Sequence, residues 1–237
     1  MAGHFLRRSE PPLIETYRTG HPRSWIAQPG EIPMSVNLLI AFYSRGGVTE
    51  TLALGAAEGA RAAGAEVRLR RVHDIVSEEI KAKVSGWKEH SERMIATYGP
   101  PTVEDAVWAD GILFGTPTRF GNVSAELKAF IDSLGGIWVK GALNGKAGGV
   151  FGSSGTIHGG NESTLLSLYH PLAHLGFIIV PTGYADPSLF KAGSPYGATS
   201  VSYNKDAPPT EDDLAVARFQ GRRTVEVAAA LKSAKQS

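Results

Sequence analysis

The segment Tyr43-Ser44-Arg45-Gly46-Gly47-Val48-Thr49-Glu50-Thr51 crowds hydroxyls, a guanidinium and two adjacent glycines into one turn between an apolar run and an Ala-rich stretch. If that turn opens a helix, the first-turn N–H groups lack backbone partners and carry partial positive charge, which favours an anion. Gly46 and Gly47 allow close backbone approach, and Ser44, Thr49 and Thr51 add hydroxyls. The turn lacks the lysine of G-x-x-x-x-G-K-[ST] and the spacing of G-x-G-x-x-G. A terminal monophosphate suits it better than a triphosphate or a bridging pyrophosphate. The bland alternative is that Ser44 is an ordinary helix cap and the glycines an ordinary turn. Two more runs repeat the chemistry: Thr116-Pro117-Thr118-Arg119-Phe120-Gly121-Asn122, and Ser153-Ser154-Gly155-Thr156-Ile157-His158-Gly159-Gly160-Asn161-Glu162.

Positioning these runs requires strands that end where they begin. Val36 to Tyr43 reads as a buried strand and Val48 to Ala63 as a helix. Glu66 to Val72 alternates polar with apolar, as a strand near a sheet edge does. The polar stretch from His73 to Pro101, with Trp87 and Met94 as isolated apolar anchors, reads as a long, partly helical connection. Thr102 opens a short helix through Trp108, and Gly111 to Gly115 forms a strand. A helix then spans about Ser124 to Leu134, a strand Gly148 to Gly152, and a helix extends through His174 with Pro171 suggesting a break. Phe177 to Val180 is a fifth strand, residues 185 to 209 an irregular excursion, and Glu211 to Leu231 a last helix. Strands alternating with helical crossovers imply an α/β fold with a parallel sheet covered on both faces. Ligands of such sheets lie beyond the carboxyl ends of the strands, where the three hydroxyl- and glycine-rich runs fall.

The order Tyr43-Ser44-x-x-Gly47, Gly115-Thr116-Pro117-Thr118-Arg119-Phe120-Gly121-Asn122, Ser153-Ser154-Gly155-Thr156 and Pro195-Tyr196-Gly197-Ala198-Thr199 resembles the WrbA family of flavodoxin-like NAD(P)H:quinone oxidoreductases. The likeness extends over roughly residues 35 to 231. It implies a flavodoxin-like three-layer sandwich whose five-stranded parallel sheet has the order 2-1-3-4-5, with bound FMN. It further implies NADH or NADPH and a quinone as substrates, exchanged in ping-pong fashion, and a homotetramer with dimer–tetramer exchange left open. By the same resemblance, Ser44, Arg45, Gly46, Gly47, Val48 and Thr49 form the FMN phosphate loop. Pro117, Thr118, Arg119, Phe120, Gly121 and Asn122 follow the flavin ring edge, and Ser153, Ser154, Gly155, Thr156, His158 and Gly159 form a third flavin loop. His174 matches a histidine at the flavin site, and Trp138 matches a tryptophan bordering the substrate cavity. Gly46 stands where many relatives carry an aromatic residue near the nicotinamide.

Composition narrows the alternatives. The 237 residues carry 24 Lys and Arg against 23 Asp and Glu, a formal charge of +1, which announces neither a nucleic-acid nor a membrane-surface partner. Without cysteine there are no disulfides, thiolate metal sites or thiol nucleophiles. No metal is expected, because His170 and His174 lack a positioned glutamate. A catalytic serine is disfavoured by the absence of G-x-S-x-G around Ser153 and Ser154. No apolar run reaches membrane-spanning length, and the composition is compatible with a cytoplasmic protein. Residues 1–33, broken by Pro11, Pro12, Pro22, Pro29 and Pro33, read as a loose extension ahead of a folded unit over 34–237. Two rival roles are an electron-carrier flavodoxin, which the near-neutral charge disfavours, and a repressor-associated interaction protein, for which no residue speaks.

Overall fold

A computed structural model describes residues 35–205 and 207–235, so the expected extension over residues 1–33 lies outside the described residues. Strand β1 (Asn37–Phe42) is followed by helix α1 (Val48–Ala62), strand β2 (Glu66–Arg71), and helices α2 (Glu78–Ala82), α3 (Trp87–Tyr98) and α4 (Val103–Trp108). Strand β3 (Gly111–Pro117), helices α5 (Ala125–Ser133) and α6 (Gly135–Trp138), strand β4 (Ala147–Ser154) and helix α7 (Asn161–His174) come next. The chain ends with β5 (Ile178–Ile179), a 3-10 turn at Pro187–Phe190, β6 (Thr199–Val201) and the long helix α8 (Glu211–Ala234).

The strands pair in parallel in the order β2-β1-β3-β4-β5 expected from the sequence. Beyond the five expected strands, β6 also pairs with β4, at Gly152, Ser153 and Ser154, where β5 has already left it. Alternation along β1 sends Leu38, Ile40 and Phe42 to a core under α1 and α8, and Leu39, Ala41 and Tyr43 to a second core under α4, α5 and α7. A Cβ at Gly221 of α8 would sit 1.9 Å from the Ala56 carbonyl oxygen, so only glycine permits the α1–α8 approach. The α4 start is fixed by a capping box in which Thr102 and Asp105 exchange side-chain-to-backbone hydrogen bonds.

One expectation fails: α7 runs unbroken through Pro171 to His174. The proline removes a single hydrogen bond, and the turn after it is held by Leu175 N donating to Pro171 O (2.9 Å) and Phe177 N donating to Leu172 O (3.0 Å). The sequence also places Ser153 and Ser154 in a loop, whereas they are the last residues of β4, kept in the sheet by β6.

Candidate functional site

The first turn has the geometry its residues suggest. Gly47 adopts φ 98°, and its N–H donates to Ser44 Oγ (3.1 Å), folding the chain over the start of α1. No side chain caps α1, which leaves its first-turn amides available to an anion. Ser44 and Thr49 are buried, and Thr49 Oγ1 lies 2.9 Å from Ser153 Oγ, joining the first loop to the end of β4.

Behind this turn sits a buried ionic network. Asp74 accepts hydrogen bonds from Tyr43 Oη (2.8 Å), Trp87 Nε1 (3.0 Å), Ser91 Oγ (2.5 Å) and Arg71 Nη2 (2.9 Å). Arg71, fully buried, also donates to the carbonyls of Ser44 and Val72, while its Nε has no hydrogen-bond partner. Burial pulls the Asp74 carboxyl upward, but the bonds from Ser91, Tyr43 and Arg71 outweigh it and hold it below the usual carboxylate range. Burial, reinforced by the bond to Asp74, pushes the Tyr43 hydroxyl far up, so it remains a donor. At the first turn of α1, burial likewise raises Glu50, and bonds from Arg93 and Tyr98 bring it below its ordinary value.

The second and third loops are wired by hydroxyls and backbone. Thr118 N donates to Ser153 O (2.7 Å), and Thr118 Oγ1 accepts from Gly121 N (3.1 Å) and Thr164 Oγ1 (2.7 Å). Arg119 and Asn122 exchange backbone hydrogen bonds, forcing Phe120 to φ 54° with its ring wholly in solvent. Ser154 Oγ donates to Thr156 O (2.7 Å), closing the turn that follows β4.

Together these loops bound a cleft of about 630 Å3 at the carboxyl ends of β1, β3 and β4. Ser44, Arg45, Gly46, Val48, Thr49, Pro117, Thr118, Arg119, Ser153, Ser154 and Gly155 all line it, and Gly47 forms its turn. Phe120, Gly121, Asn122, Thr156, His158 and Gly159 lie in the adjoining loop turns without lining it. Trp138 and His174 are elsewhere. Each sits on the segment leading back to the start of the next strand, as the bond from Gly145 N to Gly176 O just ahead of β4 shows (2.8 Å), and both are exposed. Within one chain they stand at the amino-terminal edge of the sheet, across from the cleft.

Sequence reasoning missed a wall of the cleft. Val84, Ser85, Gly86, Trp87 and His90, from α3 and the turn before it, face the first loop, and Ser202 and Asn204 close the far side after β6. Arg45 stacks on Trp87, its guanidinium carbon 3.9 Å from the ring centroid. The spacing Trp87, Ser91, Met94, all buried, is the helical signal that could have found α3. Among the described residues no lining side chain is acidic, while Arg45 and Arg119 both contribute, so the cleft suits an anionic ligand. Uncapped amides, flanking hydroxyls and these cations fit a phosphorylated flavin.

Comparison with known proteins points the same way. The family model described as NADPH-dependent FMN reductase matches residues 34–188. A protein of Geobacter sulfurreducens named NAD(P)H dehydrogenase (quinone) is 43% identical over 203 residues, spanning 83% of this chain and 99% of that protein. A protein of the same name from Geotalea uraniireducens is 41% identical with the same coverage. Among solved structures, a flavodoxin, WrbA-like protein from Agrobacterium tumefaciens matches with a TM-score of 0.58 at 26% identity, spanning 82% of this chain and 98% of that one. Oxidised flavodoxin 1 from Bacillus cereus shares the fold, with a TM-score of 0.52 at 19% identity over 80% of this chain and 97% of its own.

Proposed function

The chain belongs to the NADPH-dependent FMN reductase family, and from that premise we propose that it is an FMN-dependent NAD(P)H:quinone oxidoreductase. The observation that carries this reading is the convergence of the uncapped α1 terminus, Arg45 and Arg119 on one cleft that no acidic side chain among the described residues lines, in a chain whose relatives carry that activity in their names. When bound, FMN supplies hydride acceptance from a nicotinamide and two-electron donation to a quinone.

The protein's part is to hold and tune. Ser44, Thr49 and the α1 amides receive the phosphate, with Gly46 and Gly47 allowing close approach. Thr118 and Arg119, with Ser153 to Gly155, line the cleft where the flavin ring would lie. Arg119 presents a guanidinium where negative charge gained on reduction is offset. NAD(P)H and quinone use the same open side of the cleft in turn, so neither requires a protein nucleophile. Trp138 and His174, exposed at the opposite edge of the sheet, line a substrate cavity only when a neighbouring copy presents them, which accords with a homotetramer. Steady-state kinetics test the proposal: NADPH oxidation by benzoquinone should give parallel double-reciprocal lines. Intersecting lines would sink the exchange of substrates, and no turnover with NADH or NADPH would sink the enzyme reading.

A further inference from the structure

We infer that His90, on helix α3, is a ligand of the flavin phosphate, so that the segment between β2 and α4 completes the phosphate subsite and selects phosphorylated over unphosphorylated flavin. The inference rests on the FMN reading above and deepens it.

The ring nitrogen Nδ1 of His90 is buried and has no hydrogen-bond partner, although buried side-chain nitrogens are usually satisfied. His90 lines the same cleft as Ser44, Arg45 and Thr49. A methyl group built on Gly47 would lie 4.0 Å from Nδ1, which places this nitrogen against the glycine turn at the α1 terminus. The Glu50 carboxylate, whose Oε2 lies 3.9 Å from the same methyl position, makes no hydrogen bond to it. Glu50 Oε1 accepts from Arg93 Nη1 (2.7 Å) and Tyr98 Oη (2.7 Å), and Oε2 accepts from Arg93 Nη2 (2.5 Å).

The ring is also held in place. Trp87 and Ser91, one helical turn before and one residue after His90, both bond to the buried carboxylate of Asp74, and Met94 is fully buried on the same helix. Trp87 in turn supports Arg45 on the loop itself. The His90 imidazole, the stacked Arg45 guanidinium and the uncapped α1 amides therefore border the same end of the cleft. Three kinds of donor gathered there describe a subsite for a phosphate monoester, beside a Glu50 carboxylate already paired with Arg93 and Tyr98.

Flavin titrations of the full-length chain, freed of bound flavin, test this with FMN and riboflavin as paired probes. The unaltered protein should prefer FMN. His90→Ala should weaken FMN binding about 10- to 100-fold, the size expected for losing a hydrogen bond to a charged group, and leave riboflavin binding unchanged. His90→Asn, whose amide nitrogen occupies nearly the place of Nδ1, should recover part of the preference. Thermal unfolding without flavin should be little altered by either change, because Nδ1 has no hydrogen-bond partner among the described residues. Equal losses for FMN and riboflavin, or no loss for either, would overturn the assignment. Failure of the unaltered chain to bind FMN would overturn the FMN reading itself.

Discussion

The two ends of the cleft are built differently. Behind the first loop lie paired ionised groups: Arg71 with Asp74, both buried, and buried Glu50 with half-exposed Arg93, with Tyr43, Trp87, Ser91 and Tyr98 as additional donors. The loops after β3 and β4 are joined by hydroxyls and backbone bonds, and their most prominent side chain, Phe120, projects wholly into solvent. The first arrangement fixes geometry, since buried charges tolerate little displacement from their partners. The second leaves an open face. Anchoring the first loop thus lets the other two stay open.

Breaking the anchored end should cost most. Asp74→Ala strands the buried Arg71 guanidinium and removes the acceptor for three more donors. Urea denaturation at neutral pH should show a loss of about 3–5 kcal/mol, and a loss under about 1 kcal/mol would mean that the network is not what fixes this end.

Acid sharpens the same contrast. Because the folded-state pKa values of Asp74 and Glu50 are depressed, their contribution is present above the unfolded values, roughly 3.9 and 4.3, and is lost as pH falls through the folded ones. The stability gap between the unaltered protein and Asp74→Asn should therefore shrink once pH drops below about 4. A gap constant from neutral pH down to that range would contradict the assigned protonation.

A smaller effect is expected within the first loop. Gly47→Ala places a Cβ at φ 98°, a conformation costing roughly 1–2 kcal/mol in an L residue, and FMN affinity should fall with stability. Unchanged stability would show that the turn relaxes freely. Smallest of all, Phe120→Ala should alter stability by no more than about 0.5 kcal/mol while raising the KM for quinone or weakening assembly. A large destabilisation would place Phe120 in packing the present chain does not show.

Most of the sheet was legible because its signals are local. The β1 run, the Ala-rich α1 and the Thr102 capping box each announce themselves within a few residues. The three loops were legible as chemistry, and all three contribute to the cleft. What escaped depends on distant partners. Strand β6 has three residues and exists only through pairing with the end of β4. Helix α3 buries just Trp87, Ser91 and Met94, so a polar stretch concealed the wall that carries His90. Pro171 reads as a break until the packing of Leu168 and Leu172 holds the helix across it. For Trp138 and His174 the resemblance implied a place at the site, yet a single chain puts them at the other edge of the sheet.

Visible spectroscopy of the purified chain under anaerobic conditions tests the central claim most directly. A flavin mononucleotide held at its phosphate by the first loop should colour the protein yellow, the colour should fade on adding NADH or NADPH, and benzoquinone should restore it. A colourless protein that takes up no added FMN, or a bound flavin that neither nicotinamide can bleach, would contradict the account.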